Sequence, residues 1–192
     1  GMAVTLAILT LGQAYVQWVQ QTDRAAHPPA FGVTFAPSQA RYLDQNPKRT
    51  FRLLLDELGV RQFRLSAYWN ASEATSTIYD FSEIDWQVAE AEKRDAKIVL
   101  AIGRRLPRWP ECHDPSWLAG LDAAGVREAQ LAYVRAAVEH LRGSPAIIAW
   151  QVENEPFLRV FGECPPPDLE LLKQEIALVR SLDTRPIVIT ES

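Results

Sequence analysis

Residues 150–156 read Trp-Gln-Val-Glu-Asn-Glu-Pro and follow the apolar run 146–149. Two carboxylates flanking an amide are the residue types needed for proton transfer and for holding hydroxyl groups. Pro156 then blocks a helix from following directly. A solvated turn holds such residues as readily as an active site at the mouth of a barrel does. Similar chemistry recurs elsewhere. Arg64, Ser66, Tyr68, Trp69 and Asn70 close one apolar segment, and 103–113 (GRRLPRWPECH) follows another. Planar rings of Trp69, Trp109 and Trp150, beside amides and carboxylates, suit the C–H faces and hydroxyls of sugars. Taken singly, each tryptophan reads as core; three at one end of one sheet point to saccharide.

The elements that must position these residues alternate regularly. The stretch 31–37 (FGVTFAP) has a strand's alternation, and Asn46-Pro47 supplies an N-cap and first-turn proline. Phe51, Leu54, Leu55 and Leu58 then recur at helical spacing before Gly59. A second strand covers 61–69, and its helix starts near Asp80 or Ser82, burying Ile84, Val88 and Ala91 up to Asp95. The near-continuous apolar run 96–103 suits a parallel strand covered on both faces. A helix over 123–141 leads to the strand AIIAWQV, Asp168 caps a fourth helix, and 185–190 (RPIVIT) is a fifth strand. Strands starting near 31, 61, 96, 146 and 185, each pair separated by a helix, predict a parallel sheet. A nucleotide-binding sheet wants a glycine-rich turn after its first strand. Here that turn is APSQARYL, without glycine. A barrel is left. A complete (β/α)8 barrel takes about 250 residues, so the expected fold is a (β/α)8 type truncated after its fifth strand.

With 192 residues, a formal net charge of −4 and 47% apolar residues, the composition is globular. No basic block suggests nucleic acid as a partner. Residues 3–19 carry no charge, and about 17 residues is the lower limit for a spanning helix. We therefore expect an apolar helical signal-anchor or export segment over 1–20, a polar linker over 21–30 and the barrel domain over 31–192. This places the domain outside the cytoplasm, membrane-anchored or secreted.

Asn154-Glu155-Pro156 at the end of a fourth strand resembles the acid/base signature of the clan of retaining (β/α)8 glycosidases that includes cellulases, β-mannanases and β-galactosidases. RLSAYWN, YDFSEID and AEKRDAKIVLAIG resemble the clan's arginine-bearing strand, its tryptophan, its Tyr-Asp-Phe segment and the next strand, in register. The resemblance covers about 31–192. It implies that Glu155 is the general acid/base, that Asn154 bonds the hydroxyl beside the reacting carbon, and that Arg64 orients the nucleophile. Such an acid needs its pKa raised, which a pocket walled by aromatics supplies. Retention requires a second carboxylate about 5–5.5 Å away; in the clan it comes from a seventh strand, which this chain does not contain. Glu153, on the same strand face as Glu155 if alternation holds, points the same way rather than across a sugar. Glu191, Glu73 and Glu111 stand near the same mouth and read more readily as solvated or salt-bridged. Glu191 as the base of an inverting pair is the weaker variant.

His113 and Arg108 are placed to line the sugar site. The stretch ASEATSTIYDF departs from the acidic, Pro/Gly-containing turn of relatives. By spacing alone Cys112 and Cys164 are two unrelated thiols; with the clan's strand order their loops become neighbours, and an exported domain would permit a disulfide. Cys112, His113 and Cys164 with Glu111 or Glu163 match no zinc spacing, and neither metal nor cofactor is expected. The reading is a β-glycoside hydrolase domain with an oligo- or polysaccharide substrate. The rival is a non-catalytic carbohydrate-binding half-barrel that self-associates through an open sheet edge.

Overall fold

The computed structural model describes residues 31–191, together with Gln13, Tyr15 and Gln17, which are helical. The rest of the expected N-terminal apolar helix and linker lies outside the described residues, and no described helix is long and apolar enough to cross a membrane. The chain divides into two units, Gly1–Phe31 and Gly32–Ser192. The sheet and its helices belong to the second.

Five parallel strands pair in sequence order, β1 to β5: β1 (Val33–Thr34), β2 (Gln62–Ser66), β3 (Lys97–Ile102), β4 (Ile147–Val152) and β5 (Ile187–Val188). The connections are helical: α1 (Pro37–Tyr42), α2 (Pro47–Asp56), α3 (Trp69–Ser72), α4 (Ser82–Glu92), α5 (Ala123–Leu141) and α6 (Leu169–Leu182). Three long helices start on side-chain caps. Asn46 accepts from the Arg49 amide at 3.0 Å, Asp122 from Gly125 at 2.8 Å and Asp168 from Leu171 at 3.0 Å. Each satisfies a backbone donor that the first turn leaves unpaired.

Two details depart from the sequence reading. The stretch 37–42, taken as a turn, is the short helix α1, started by Pro37 at its first position. Leu58 is not part of the buried stripe of α2: the helix ends at Asp56, and Leu58 is 72% exposed beside Gly59 at φ +63°.

Register explains which residues reach the core and which reach the inner face. Leu65, Leu100 and Trp150 stand side by side on β2, β3 and β4. They join Ile98, Val134, Val138 and Val179 in the layer between sheet and helices. One residue along, Ser66, Ala101 and Gln151 form the next row, which by the period of two faces the other way. Arg64 is aligned with Thr34 and Val99 in a parallel row. A polar inner row thus sits behind a dry outer layer, and the strand ends deliver it to one rim.

Candidate active site

At that rim, four side chains meet on one amide. Asn154 is 6% exposed, and its Oδ1 accepts from Arg64 Nη1 at 3.4 Å, Gln151 Nε2 at 3.3 Å and Thr190 Oγ1 at 3.2 Å. Its Nδ2 donates to Glu111 Oε2 at 3.2 Å. The network fixes which way the amide points and leaves one Nδ2 hydrogen for a ligand. Arg64 Nε donates to Thr34 Oγ1 at 3.0 Å. Burial pulls the Arg64 guanidinium below its ordinary value and Arg108 adds to this, while Tyr68, Glu111 and Glu155 push the other way. Among the described residues no carboxylate forms an ion pair with Arg64.

Glu155 is half-buried, and nothing among the described residues hydrogen-bonds its carboxylate. Its backbone is firmly held. The Glu155 N–H donates to Thr190 O at 3.1 Å, its carbonyl accepts from Leu158 N at 3.0 Å, and Asn154 N donates to Arg105 O at 2.7 Å. Both Glu153 (φ +61°) and Glu155 (φ +47°) adopt left-handed backbone, a conformation that costs a non-glycine residue about 1–2 kcal/mol. Strain of that kind clusters where geometry matters more than stability. The result is a free carboxyl group beside a fixed amide and a half-buried arginine, a set suited to gripping a hydroxylated ligand and moving one proton.

The positive φ at Glu153 breaks the strand's alternation, so Glu153 does not share a face with Glu155. Its carboxylate turns to the helix side and accepts from the Arg104 and Arg105 amides at 2.7 and 2.6 Å. The other nearby glutamates are engaged as well. Glu111 lies 3.7 Å from Arg105 Nε, Glu73 accepts from Trp69 Nε1 at 2.7 Å, and Glu191 accepts from Phe157 N at 3.3 Å.

Two of the three expected sugar platforms are elsewhere. Trp150 is fully buried, because its register places it with Leu65 and Leu100 under the helices. Trp69 is also fully buried, stacked on Tyr133 with ring centroids 5.4 Å apart. Neither can wall a pocket for Glu155. Trp109 alone is open, 60% exposed, and it meets Phe161 edge-on at 5.6 Å. His113 is 7% exposed and packs on Tyr68 at 4.3 Å, with Nε2 3.2 Å from Arg108 O. Burial pulls its pKa down, so it stands as a neutral brace of the 104–113 loop rather than a sugar ligand. Arg108, at φ +97°, presents its carbonyl to that ring.

Cys112 and Cys164 are joined by a disulfide, with Cα atoms 5.2 Å apart. Arg105 ties the same two loops, donating to Leu158 O and Phe161 O at 2.5 and 2.7 Å. Sequence reasoning missed Thr34, Gln151, Thr190 and Arg105. Gln151 and Thr190 had a legible signal, a polar residue on an otherwise apolar parallel strand or at its end.

No protein-family model matches the sequence, and no curated protein is similar to it. Solved structures are. GH5_18 from Streptomyces cattleya, in complex with GlcNAc, superposes with a TM-score of 0.63 over 85% of this chain and 44% of that one, at 18% identity. Its counterpart with Manβ1-4GlcNAc gives 0.62 at 19% identity, over 85% and 45%. Endo-glycoceramidase II from Rhodococcus sp., as the lactosyl-enzyme intermediate, gives 0.59 at 15% identity, over 82% and 48%. The fold is that of the (β/α)8 glycoside hydrolases. The chain spans less than half the length of these structures.

Proposed function

We propose that this chain supplies the acid/base half of a retaining glycoside hydrolase acting on β-linked sugars. Glu155 is the general acid/base, Asn154 binds the hydroxyl beside the reacting carbon, and Arg64 holds the nucleophile's carboxylate. The observation that carries the reading is the row Arg64–Asn154–Gln151–Thr190 beside an unengaged Glu155 at the carboxyl rim of a parallel sheet. Chemistry in such barrels sits at that rim. The saccharides bound by the GH5_18 and endo-glycoceramidase structures support a glycan substrate.

Protonation of the glycosidic oxygen by Glu155 leaves an oxocarbenium-like centre that a second carboxylate must trap from the opposite face, about 5–5.5 Å from the first. The described glutamates near the rim are already held by backbone or by Arg105. The half-buried Arg64, without an anionic partner, is where such a carboxylate would be oriented. We place that nucleophile on a further strand that these 192 residues do not contain. Trp109, exposed on the rim, is the remaining candidate for an aromatic platform.

The test is hydrolysis of aryl β-glycosides. The 192-residue chain alone is expected to give no more than trace turnover. Substantial turnover by this chain that Glu155→Gln abolishes would show that the nucleophile lies within it. Turnover that Glu155→Gln leaves unchanged would refute the assignment of Glu155.

A second reading rests on the sheet itself. β1 and β5 are both edges of an unclosed parallel sheet, and open edges invite pairing. A non-catalytic half-barrel closed by another copy would bind saccharide without turnover and would self-associate; a strictly monomeric chain counts against it.

A further inference from the structure

The turn that carries Glu155 is fastened from behind by a pair of buried acids. Glu153 Oε1 accepts from Arg104 N at 2.7 Å and from Gln130 Nε2, on α5, at 3.1 Å; Oε2 accepts from Arg105 N at 2.6 Å. The same Gln130 nitrogen donates to Glu175 Oε1, on α6, at 2.7 Å. One amide nitrogen thus bridges the two carboxyl groups. Their exposures are 1% and 5%. Room for this arrangement depends on Gly103, where a Cβ would stand 2.2 Å from Glu153 Oε1.

Two buried carboxyl groups that share one amide nitrogen resist carrying two charges. Glu153 already accepts two backbone N–H groups, which favour the anion, so Glu175 is the member that carries the proton. Of the surrounding cations, Arg104 favours the Glu153 anion, and among the described residues none forms an ion pair with Glu175. Arg104 is paired with Asp114, Arg127 of α5 with Asp168 at the start of α6, and Arg105 is spent on the Leu158 and Phe161 carbonyls. A cavity of about 320 Å3 lined by Gln130, Glu153 and Glu175 gives the pair a route for proton exchange.

We propose that Glu175 is a positioning residue for Glu155: as the proton-bearing partner of Glu153, it keeps the left-handed 153–155 turn clamped to the loop after β3, and loss of its proton releases that clamp. The functional part of this inference rests on Glu155 being the acid/base; the structural part does not. Burial pushes both carboxyls above their ordinary range, and the charge of Glu153 adds to the rise of Glu175. The clamp is therefore closed while Glu175 holds its proton and opens as pH rises through the raised value of Glu175.

The experiment is an NMR pH titration of the backbone amides of Arg104, Arg105, Asn154 and Glu155. In the wild-type chain the four are expected to shift together in two steps, as Glu153 and then Glu175 lose their protons, with the later midpoint above the ordinary carboxylate range. Glu175→Gln retains an acceptor for Gln130 and a donor for Glu153 but cannot ionise, so the later step should vanish and only the Glu153 step remain. Glu175→Leu has no donor and should lose about tenfold in exchange protection at Arg104 and Arg105 at every pH. Absence of the later common midpoint in the wild type, or its persistence in Glu175→Gln, would overturn the proposal, and the second criterion holds even if Glu175→Leu fails to fold. The functional readout is the ratio of wild-type to Glu175→Gln affinity for a cellobiose-like imidazole, in which the ligand's own titration cancels, expected to fall with the later midpoint. No imidazole binding with the titration intact would strike at the glycosidase reading; a persistent midpoint in Glu175→Gln strikes at the clamp alone.

Discussion

At the scale of single residues, the chain separates two adjacent acids by turning the backbone between them. Glu155 faces the rim with a free carboxyl group, whereas Glu153 is swallowed by the helix side and satisfies two amides and a glutamine. Glu153→Ala would strand two backbone N–H groups in a buried layer, at about 1–3 kcal/mol each. Chemical denaturation should show a loss of a few kcal/mol, whereas Glu155→Gln should change stability by less than about 0.5 kcal/mol. The pH sign is fixed too. A carboxyl whose folded pKa is raised keeps its proton longer folded than unfolded, so folding binds protons and its stabilising effect is present below the unfolded value. Global stability should fall as pH rises from the ordinary carboxylate range through the raised values of Glu153 and Glu175. A thermal melt series for Glu175→Gln should show that slope flattened; an unchanged slope would contradict the burial argument.

Elements decide what the sequence could and could not disclose. The expected strand–helix units and their order are all present, because apolar runs for strands and capped, periodic runs for helices are local signals. Asn154 and Glu155 were legible for the same reason, standing just past the end of β4, and Arg64 as a charge in the middle of the β2 run. Trp150 was not, since its side follows from register with Leu65 and Leu100 rather than from its own neighbours. Glu153 was misread because alternation fails at a positive φ, which no period of two anticipates. Glu175 carries a signal that can be read in retrospect: with Leu172 and Val179 it lies on the buried stripe of α6, where an acid has no reason to be unless paired. The turn after β3 gives a prediction at this scale. Gly103 sits at φ +118° against the Glu153 carboxylate, so Gly103→Ala adds backbone strain and displaces the clamp. A loss of at least about 2 kcal/mol is expected by denaturation, and a neutral result would mean that the close approach is not needed.

On the scale of the whole molecule, the rim is held by one covalent tie across two successive loops. Cys112 and Cys164 are 52 residues apart, and closing a loop of that length stabilises by about 4 kcal/mol in the chain-entropy picture. Reduction should therefore lower the melting temperature and loosen the loop bearing Trp109, with little effect on the layer around Trp150, as hydrogen exchange would report. At the rim of the open sheet, beside the polar inner row, Glu155 is the group we propose to hand a proton to a sugar oxygen. The most direct measurement is calorimetric binding of a cellobiose-like imidazole, a sugar analogue carrying a basic nitrogen, to the wild-type chain and to Glu155→Gln. With Glu155 as the acid, the wild type binds and the variant loses about tenfold or more, the worth of a charge-assisted hydrogen bond. Equal affinity in both proteins, or no binding by the wild type, would contradict it.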